Sequence, residues 1–241
     1  MSPKKTSYLK SSADPFLNFL DRWYSELPIV SFKSLFKDYT ADQTALCAVD
    51  VVNGFCKEGN LASPRVARIV DPIVELFRQA DEFGITHYAL SQDNHPAEST
   101  EFQIYPPHCV EGSDEAKTVT ELSDLPNARK FKVLPKKTIN PGMERNFREW
   151  LDRNDHLRQF VVVGDCTDIC VYLLSVFLKS HAVQKDLTFQ VIVPANCVDT
   201  YDITVESAEE KDILPHPGEF LHRFFLYHMA IQGMKVVAEI A

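Results

Sequence analysis

Strand-length apolar runs that alternate with helical patterns are the feature that most restricts the fold of this chain. The helical pattern RVARIVDPIVELFRQADEFG separates the apolar runs TALCAVDVV and THYALSQD. Three other helical patterns lie at 143–154, 170–182 and 218–232. Strands that are apolar throughout and separated by helices indicate a parallel sheet covered on both faces. We therefore predict an α/β fold of three layers, doubly wound around a mostly parallel sheet. The runs predicted to be strands are TALCAVDVV, THYALSQD, KFKVLPK, RQFVVVGD and LTFQVIVPANCV.

Length, composition and charge exclude several classes of protein. The 241 residues are 45% hydrophobic and 24% charged, which matches a soluble globular chain with a large core. No apolar run reaches the roughly 18 residues that span a bilayer. The start, MSPKKTSYLKSSADP, lacks the apolar segment of a secretory signal. The formal charge of −9 argues against a nucleic-acid groove, so we expect neither a nucleic-acid nor a membrane partner.

The six cysteines are scattered along the chain rather than grouped into a framework. They occupy positions 47, 56, 109, 166, 170 and 197, and no Cys-x-x-Cys pair occurs. This distribution favours free thiols in a reducing compartment and argues against a structural zinc knuckle. We therefore expect a cytoplasmic protein.

The first part of the chain differs from the rest. Residues 1–13 are predicted to lack regular structure, and Asp14 and Pro15 are predicted to begin the amphipathic helix FLNFLDRWYSEL. Such a helix could pack on the domain or on a partner subunit. We divide the chain into an N-terminal extension, residues 1–43, and one α/β domain, residues 44–241.

Polar residues follow the ends of two predicted strands, where parallel sheets bind their ligands. Asp50 lies among apolar neighbours, as a functional acid or as a structural acid bonded to backbone amides. Asp93 and His95 are two residues apart and share one face of an extended strand. With His108, which follows two prolines, they form a reasonable ligand set for a divalent transition metal, although the alternative is a solvated turn.

The stretch GDCTDICVYLL places Cys170 in the first turn of a predicted helix, where amides and the helix dipole stabilise a thiolate. The backbone N–H groups of Cys166 and Cys170 could form an oxyanion hole. The spacing also allows a disulfide, a metal pair or two packing residues. Lys136 or Lys137 could complete a group with Asp50 and Cys170, whereas composition alone favours two exposed cations. These patterns suggest a thiol hydrolase beside a metal.

In their order along the chain, five stretches resemble the isochorismatase-like cysteine hydrolases, and within them the plant-type nicotinamidases. The stretches are AVDVVNGFC, SQDNHP, YPPHCVEG, KKTIN and VVVGDCTDICV, and the resemblance covers roughly residues 44–241. It implies an isochorismatase-like hydrolase domain that converts nicotinamide to nicotinate and ammonia through a cysteine thioester, in NAD salvage. Relatives are often oligomeric, so it also implies a homo-oligomer.

The resemblance assigns roles to the reactive residues one by one. It implies that Cys170 is the nucleophile and that Asp50 is the general base and acid. Lys137 would be the lysine of the catalytic triad, with Lys136 as the second choice. The amides of Cys166 and Cys170 would form the oxyanion hole.

The resemblance also implies how an aromatic amide would be held. Asp93, His95 and His108 would bind a divalent metal, most simply zinc, that takes the pyridine nitrogen of the substrate. Phe55 would sandwich the ring, together with Tyr105, which stands where many relatives have Trp.

Two alternatives to this function keep the same fold. One is the hydrolysis of another small amide or carbamoyl compound, and the other is a non-catalytic scaffold protein. Metal content and thiol reactivity distinguish a scaffold from an enzyme.

The resemblance further implies a cis peptide bond between Asp165 and Cys166.

Overall fold

Seven parallel strands form the central sheet of the computed structural model, which describes residues 8–241. Its order is β4-β3-β2-β5-β6-β8, with β7 beside β5, and β1 and β9 form a separate parallel pair. The chain runs outward from β2 to β4 and then returns to β5, so the sheet is doubly wound as predicted. The strands are β1 (Ile29–Val30), β2 (Thr44–Val49), β3 (His87–Asp93), β4 (Phe131–Lys136), β5 (Gln159–Asp165), β6 (Gln190–Pro194), β7 (Val198–Asp199), β8 (Lys235–Val237) and β9 (Glu239–Ile240).

The predicted helical patterns are helices in the structure, with ends that differ by a few residues, except that the pattern at 65–84 is divided into two helices at Arg68 and Ile69. None of the described helices is long and apolar enough to cross a bilayer. The helices are α1 (Tyr8–Ser25), α2 (Asn53–Cys56), α3 (Pro64–Ala67), α4 (Val70–Glu82), α5 (Thr120–Ser123), α6 (Arg145–Arg153), α7 (Cys170–Gln184), α8 (Val205–Lys211) and α9 (Gly218–Ile231).

Alternate residues of the strands face two hydrophobic cores, one on each side of the sheet. In β2, Leu46 and Ala48 contact the core that includes α4, whereas Cys47 and Val49 contact the core that includes α6, α7 and α9. All six residues of β2 are buried because the strand lies at the centre of the sheet. This double burial explains why its sequence is a continuous apolar run rather than an alternating one.

The N-terminal helix begins earlier than the sequence predicts. Residues 8–13 are helical and Pro15 lies inside α1, so the predicted start at Asp14 is wrong; residues 1–7 lie outside the described residues. The ring of Trp23 lies 5.5 Å from that of Tyr227 in α9, so the helix packs on its own domain. Packing of this kind outweighs the cost of an interior proline, about 3 kcal/mol.

Gly164 allows β2 and β5 to approach closely just before the Cys166–Cys170 segment. Its φ is +109°, and a Cβ at this position would lie 1.9 Å from the carbonyl oxygen of Val49. Only glycine combines that backbone conformation with that contact. Because β2 and β5 lie on either side of the point where the strand order reverses, their carboxyl ends border the crevice where such sheets bind ligands.

Candidate active site

The carboxyl ends of three neighbouring strands bring two acids and a lysine into contact. Asp50 follows β2, and Asp93 and Lys136 end β3 and β4. The Lys136 Nζ lies 2.8 Å from the Asp50 Oδ2 and also contacts the Asp93 Oδ1. The same Nζ lies 3.6 Å from the Sγ of Cys170, the first residue of α7. The sheet therefore assembles an acid, a lysine and a thiol that are far apart in the sequence.

The lysine in this contact is Lys136, and the prediction of Lys137 is wrong. Lys136 is fully buried, whereas Lys137 is exposed and its backbone N–H donates to the Glu144 side chain. Alternate side chains of a strand point to opposite faces, so Leu134 and Lys136 share the inward face of β4. Lys137 comes one residue later and falls on the other side.

Burial and mutual contact shift the pKa values of all three charged groups. Burial and the charge of Asp93 raise the pKa of Asp50 to about 7, although Lys136 opposes the shift. Burial also tends to raise the pKa of Asp93, but Lys136 and the two histidines outweigh it and hold that pKa below its usual range. Burial tends to lower the pKa of Lys136, but Asp50 and Asp93 raise it well above its usual range. The lysine is therefore charged, and Asp50 can exchange a proton near neutral pH.

The thiol of Cys170 is neutral in the resting site. Burial raises its pKa well above the usual range, and the opposing charge of Lys136 does not compensate. A base must therefore remove the proton before the sulfur can attack. All six cysteines are free, so Cys166 and Cys170 are not joined by a disulfide.

The turn before α7 leaves two amides available. Among the described residues, no backbone carbonyl accepts a hydrogen bond from the N–H of Cys166 or Cys170. The peptide bond between Asp165 and Cys166 is cis, as the resemblance implied. Two unpaired amides beside a thiol can stabilise an oxyanion, the role predicted for them.

Asp93, His95 and His108 could hold a divalent metal. Their ligand atoms lie within 4.8 Å of one another, and all three side chains are buried. The Asp93 Oδ1 lies 3.3 Å from the His95 Nε2, and its Oδ2 lies 3.4 Å from the His108 Nε2. The His108 Nδ1 lies 2.8 Å from the carbonyl oxygen of Pro106 and donates to it, which leaves Nε2 with its lone pair. The buried His95 Nε2 has no hydrogen-bond partner among the described residues, so an ion fits here.

A cavity of about 800 Å³ opens over these groups. Asp50, Asp93, His108 and Cys170 line it together with apolar side chains, and so do Phe55 and Tyr105, the two residues predicted to contact an aromatic ring. The Phe55 ring lies 5.6 Å from the His108 ring, and the Tyr105 ring lies 6.3 Å from it. The cavity can therefore receive a small aromatic molecule between the thiol and the histidines.

Three residues that line the cavity were missed by the sequence analysis. Asp165 is fully buried, and its Oδ1 has no hydrogen-bond partner among the described residues. Burial and the charge of Asp50 raise its pKa well above the usual range, so it is neutral. Like Asp50, it ends a buried apolar run, and that signal could have identified it. Glu101 lies in a short 3-10 helix (Thr100–Gln103) and Tyr201 lies in a loop, and neither follows an apolar run that could have identified it.

Two further histidines contact the Cys166–Cys170 turn, and neither of them lines the cavity. The sequence suggested no role for them. The His222 Nδ1 lies 2.9 Å from the Thr167 Oγ1, and its Nε2 lies 3.2 Å from the Tyr24 hydroxyl of α1. The His216 Nε2 lies 2.9 Å from the Asp168 Oδ2. The N-terminal helix is thereby linked to the turn through one buried imidazole.

Comparison with known proteins gives consistent results. The chain is 30% identical to Nicotinamidase 1 of Arabidopsis thaliana over 213 residues, which cover 81% of this chain and 86% of that protein. Its fold is similar to the nicotinamidase/pyrazinamidase PncA of Bacillus subtilis, with a TM-score of 0.64, 24% identity, and coverage of 81% of this chain and 99% of the other. A pyrazinamidase of Pyrococcus horikoshii in complex with zinc gives a TM-score of 0.61 and 22% identity, over 81% of this chain and 98% of that one.

The match to a family model covers most of the domain. The model of the isochorismatase domain matches residues 44–214, which include every strand that contributes a residue to the cavity. The chain therefore belongs to the isochorismatase family.

Proposed function

We propose that this protein hydrolyses nicotinamide to nicotinate and ammonia, as a step of NAD salvage. The observation that carries the proposal is the contact of Lys136 with both Asp50 and Cys170, which line a cavity together with Asp93 and His108. A thiol, a proton acceptor and a possible metal site beside aromatic side chains suit an aromatic carboxamide. The 30% identity to a plant nicotinamidase supports the same substrate.

In the first half of the reaction Cys170 forms a thioester. Asp50 takes the thiol proton, and Lys136 stabilises the negative charge that moves from the carboxylate to the sulfur. The thiolate attacks the carboxamide carbon, and the amides of Cys166 and Cys170 hold the resulting oxyanion. Asp50 then gives the proton to the leaving amino group, so the C–N bond breaks and ammonia leaves.

In the second half water replaces the sulfur. Asp50 takes a proton from a water molecule, which attacks the thioester carbon, and the same amides hold the oxyanion again. The C–S bond breaks, the proton returns to the Cys170 sulfur, and nicotinate leaves. A pKa of Asp50 near 7 suits both directions of proton transfer.

Asp93, His95 and His108 would hold a divalent ion, most simply zinc, where Asp93 and His108 line the cavity. When bound, such an ion acts as a Lewis acid for the pyridine nitrogen and so orients the ring. Phe55 and Tyr105 would contact the ring faces and exclude water. On this basis the ion contributes more to substrate binding than to the attack of the thiol.

The test is ammonia release from nicotinamide by the purified protein, measured beside Cys170→Ala and a chelator-treated sample. We expect turnover by the wild type, none by Cys170→Ala and weakened turnover after chelation. Circular dichroism of the variant checks that it is folded.

Other outcomes point to other functions. A folded, zinc-loaded protein without turnover would direct the search to another small amide or carbamoyl compound. A folded protein with neither turnover nor bound metal would favour a scaffold protein. The division at residues 43 and 44, the cytoplasmic location and the homo-oligomeric state stay predictions.

A further inference from the structure

A second group of metal-ligating side chains lies at the opposite end of the sheet from the cavity. Asp42 precedes β2, His87 is the first residue of β3, and His156 lies shortly before β5. These three strands are adjacent at the centre of the sheet, in the order β3-β2-β5. None of the three residues lines the cavity. We call Asp42, His87 and His156 the amino-edge cluster.

The ligand atoms of the amino-edge cluster converge on one point. They lie within 4.8 Å of one another, and the two Nε2 atoms are 3.3 Å apart. The Asp42 Oδ1 lies 3.6 Å from the His87 Nε2, and its Oδ2 lies 3.9 Å from the His156 Nε2. The imidazole planes are inclined by 64°, so the rings are not stacked and meet at their nitrogen edges.

Hydrogen bonding accounts for only part of this arrangement. The distances of 3.6 and 3.9 Å from the Asp42 carboxylate to the two rings are too long for hydrogen bonds. A proton shared between the two Nε2 atoms joins the rings to each other. The Asp42 carboxylate then has no hydrogen bond to either ring. An ion would instead use all three groups at once, because each ligand offers it a lone pair.

The spacing agrees with coordination of an ion. Zinc–nitrogen bonds of about 2.0–2.1 Å at a tetrahedral angle place two ligating nitrogens about 3.3–3.4 Å apart. The two Nε2 atoms lie 3.3 Å apart, and the carboxylate oxygens are slightly farther away. Two imidazoles and one carboxylate are a donor set that suits zinc and similar divalent ions. Water could complete the coordination, since His156 is 40% exposed.

The backbone around the amino-edge cluster is already fixed. The Gln43 carbonyl, next to Asp42, accepts hydrogen bonds of 2.9 and 3.0 Å from the amides of Arg158 and Gln159. The β2–β3 register pairs Ala45 with His87, which fixes the start of β3 against that of β2. The ligands therefore sit on segments that the sheet holds together, so an ion requires little rearrangement.

We propose that the amino-edge cluster binds one zinc-type divalent ion that joins the starts of the three central strands. An ion that binds only the folded chain stabilises it in proportion to its affinity and concentration. This role does not depend on which amide the cavity hydrolyses.

The test measures the number of zinc ions bound per chain, in protein that carries no histidine tag. The protein is stripped with a chelator, supplied with excess zinc, passed through a desalting column and analysed by inductively coupled plasma mass spectrometry. We expect about two equivalents per chain in the wild type, one for each group of ligands. His87→Gln/His156→Gln should retain about one, and so should His95→Gln/His108→Gln, which lacks the other group. His181→Gln/His228→Gln removes two imidazoles outside both groups and should retain the wild-type content.

A second variant guards against loss of folding. The Asp42 side chain is 79% exposed, so Asp42→Asn should fold normally. Even groups that only support metal ligands are worth about 10–100-fold in affinity, so losing this ligand should weaken the zinc bound here by at least that factor. Competition with a chromogenic chelator measures the change, and Asp38→Asn is the control at another exposed acid. Equal zinc content in the wild type and His87→Gln/His156→Gln, or unchanged affinity in Asp42→Asn, would overturn the proposal.

Discussion

The two ends of the central sheet carry the same kinds of side chain in opposite environments. At the carboxyl end, the side chains of Asp93, His95 and Lys136 are at most 3% exposed. At the amino end, the side chain of Asp42 is 79% exposed and that of His156 is 40% exposed. The strand β3 joins the two, because His87 is its first residue and Asp93 its last.

The contrast teaches that burial determines how much each charge depends on its partners. Removing one partner of a buried ion pair typically costs about 3–5 kcal/mol because a charge is left without compensation. An exposed pair is typically worth less than about 1 kcal/mol, since water replaces the partner. The same substitution at the two ends should therefore have very different effects on folding.

The largest effect is expected for Lys136→Met. The substitution leaves Asp50 and Asp93 side by side without the charge of the lysine, so the free energy of unfolding should fall by about 3–5 kcal/mol. Urea unfolding of the metal-free protein measures it, and turnover should be lost as well.

Lys137→Met is the matched control for that substitution. Its side chain is exposed, so its free energy of unfolding should stay within about 0.5 kcal/mol of the wild type. If the two variants were equally stable, the contrast between the ends of the sheet would not hold.

Loss of the ion at the carboxyl end should act on substrate binding. For His95→Gln, we expect kcat/KM for nicotinamide to fall by roughly 10–100-fold, mainly through a higher KM. Steady-state kinetics with zinc present separates the two constants, and His181→Gln serves as the control. A lower kcat with an unchanged KM would mean that the ion acts on the chemical step instead.

A smaller effect is expected at the amino end. In excess chelator, His87→Gln/His156→Gln should unfold within about 1 kcal/mol of the wild type, because both rings are partly exposed. With zinc at about 100 times its Kd, the wild type should gain about 2.7 kcal/mol from this site, which the variant should lack. If the free energy of unfolding of the variant fell by about 3–5 kcal/mol in chelator, the amino-edge cluster would behave like the buried ion pairs at the carboxyl end, which would contradict the expected contrast.

The smallest effect concerns His216, which contacts Asp168 in the turn before α7. Burial tends to lower the pKa of His216, but the hydrogen bond to Asp168 and its charge outweigh this and raise it. A raised pKa in the folded state adds stability that is fully present below the unfolded pKa of about 6.5 and is lost as pH rises through the folded value. The stability difference between wild type and His216→Gln should therefore shrink from pH 6 to about pH 9. Thermal unfolding over this range measures it, and a difference that grows with pH would contradict the assignment.

Most of the site follows from the order of strands in the sequence. Asp50 and Asp93 come at or directly after the ends of two strands, and Cys170 begins the helix that follows a third strand. Parallel strands bring such ends together. The fold is predictable for the same reason, since the runs are buried on both faces. The position of the lysine was not, because β4 lies at the edge of the sheet, where Val133 is 46% exposed and Leu134 is 3% exposed. Both are apolar, so the sequence does not show which face points inward.

Contacts between segments that are far apart in the chain could not be predicted from the sequence, for another reason. The link from Tyr24 through His222 to Thr167 spans 198 residues on one side and 55 on the other. No periodicity encodes such a meeting. The amino-edge cluster is similar, since its three residues precede or begin strands, whereas the ligands of parallel sheets are expected at the carboxyl ends of the strands.

The free cysteines give the chain a built-in record of its own unfolding. All six are buried thiols, and among them Cys166 and Cys170 line the cavity. A bulky thiol reagent that cannot enter the cavity should react with none of them while the chain is folded, whereas a small one should reach these two first. Mass spectrometry after a brief labelling pulse would then sort molecules into native, locally opened and fully unfolded populations, without any engineered probe.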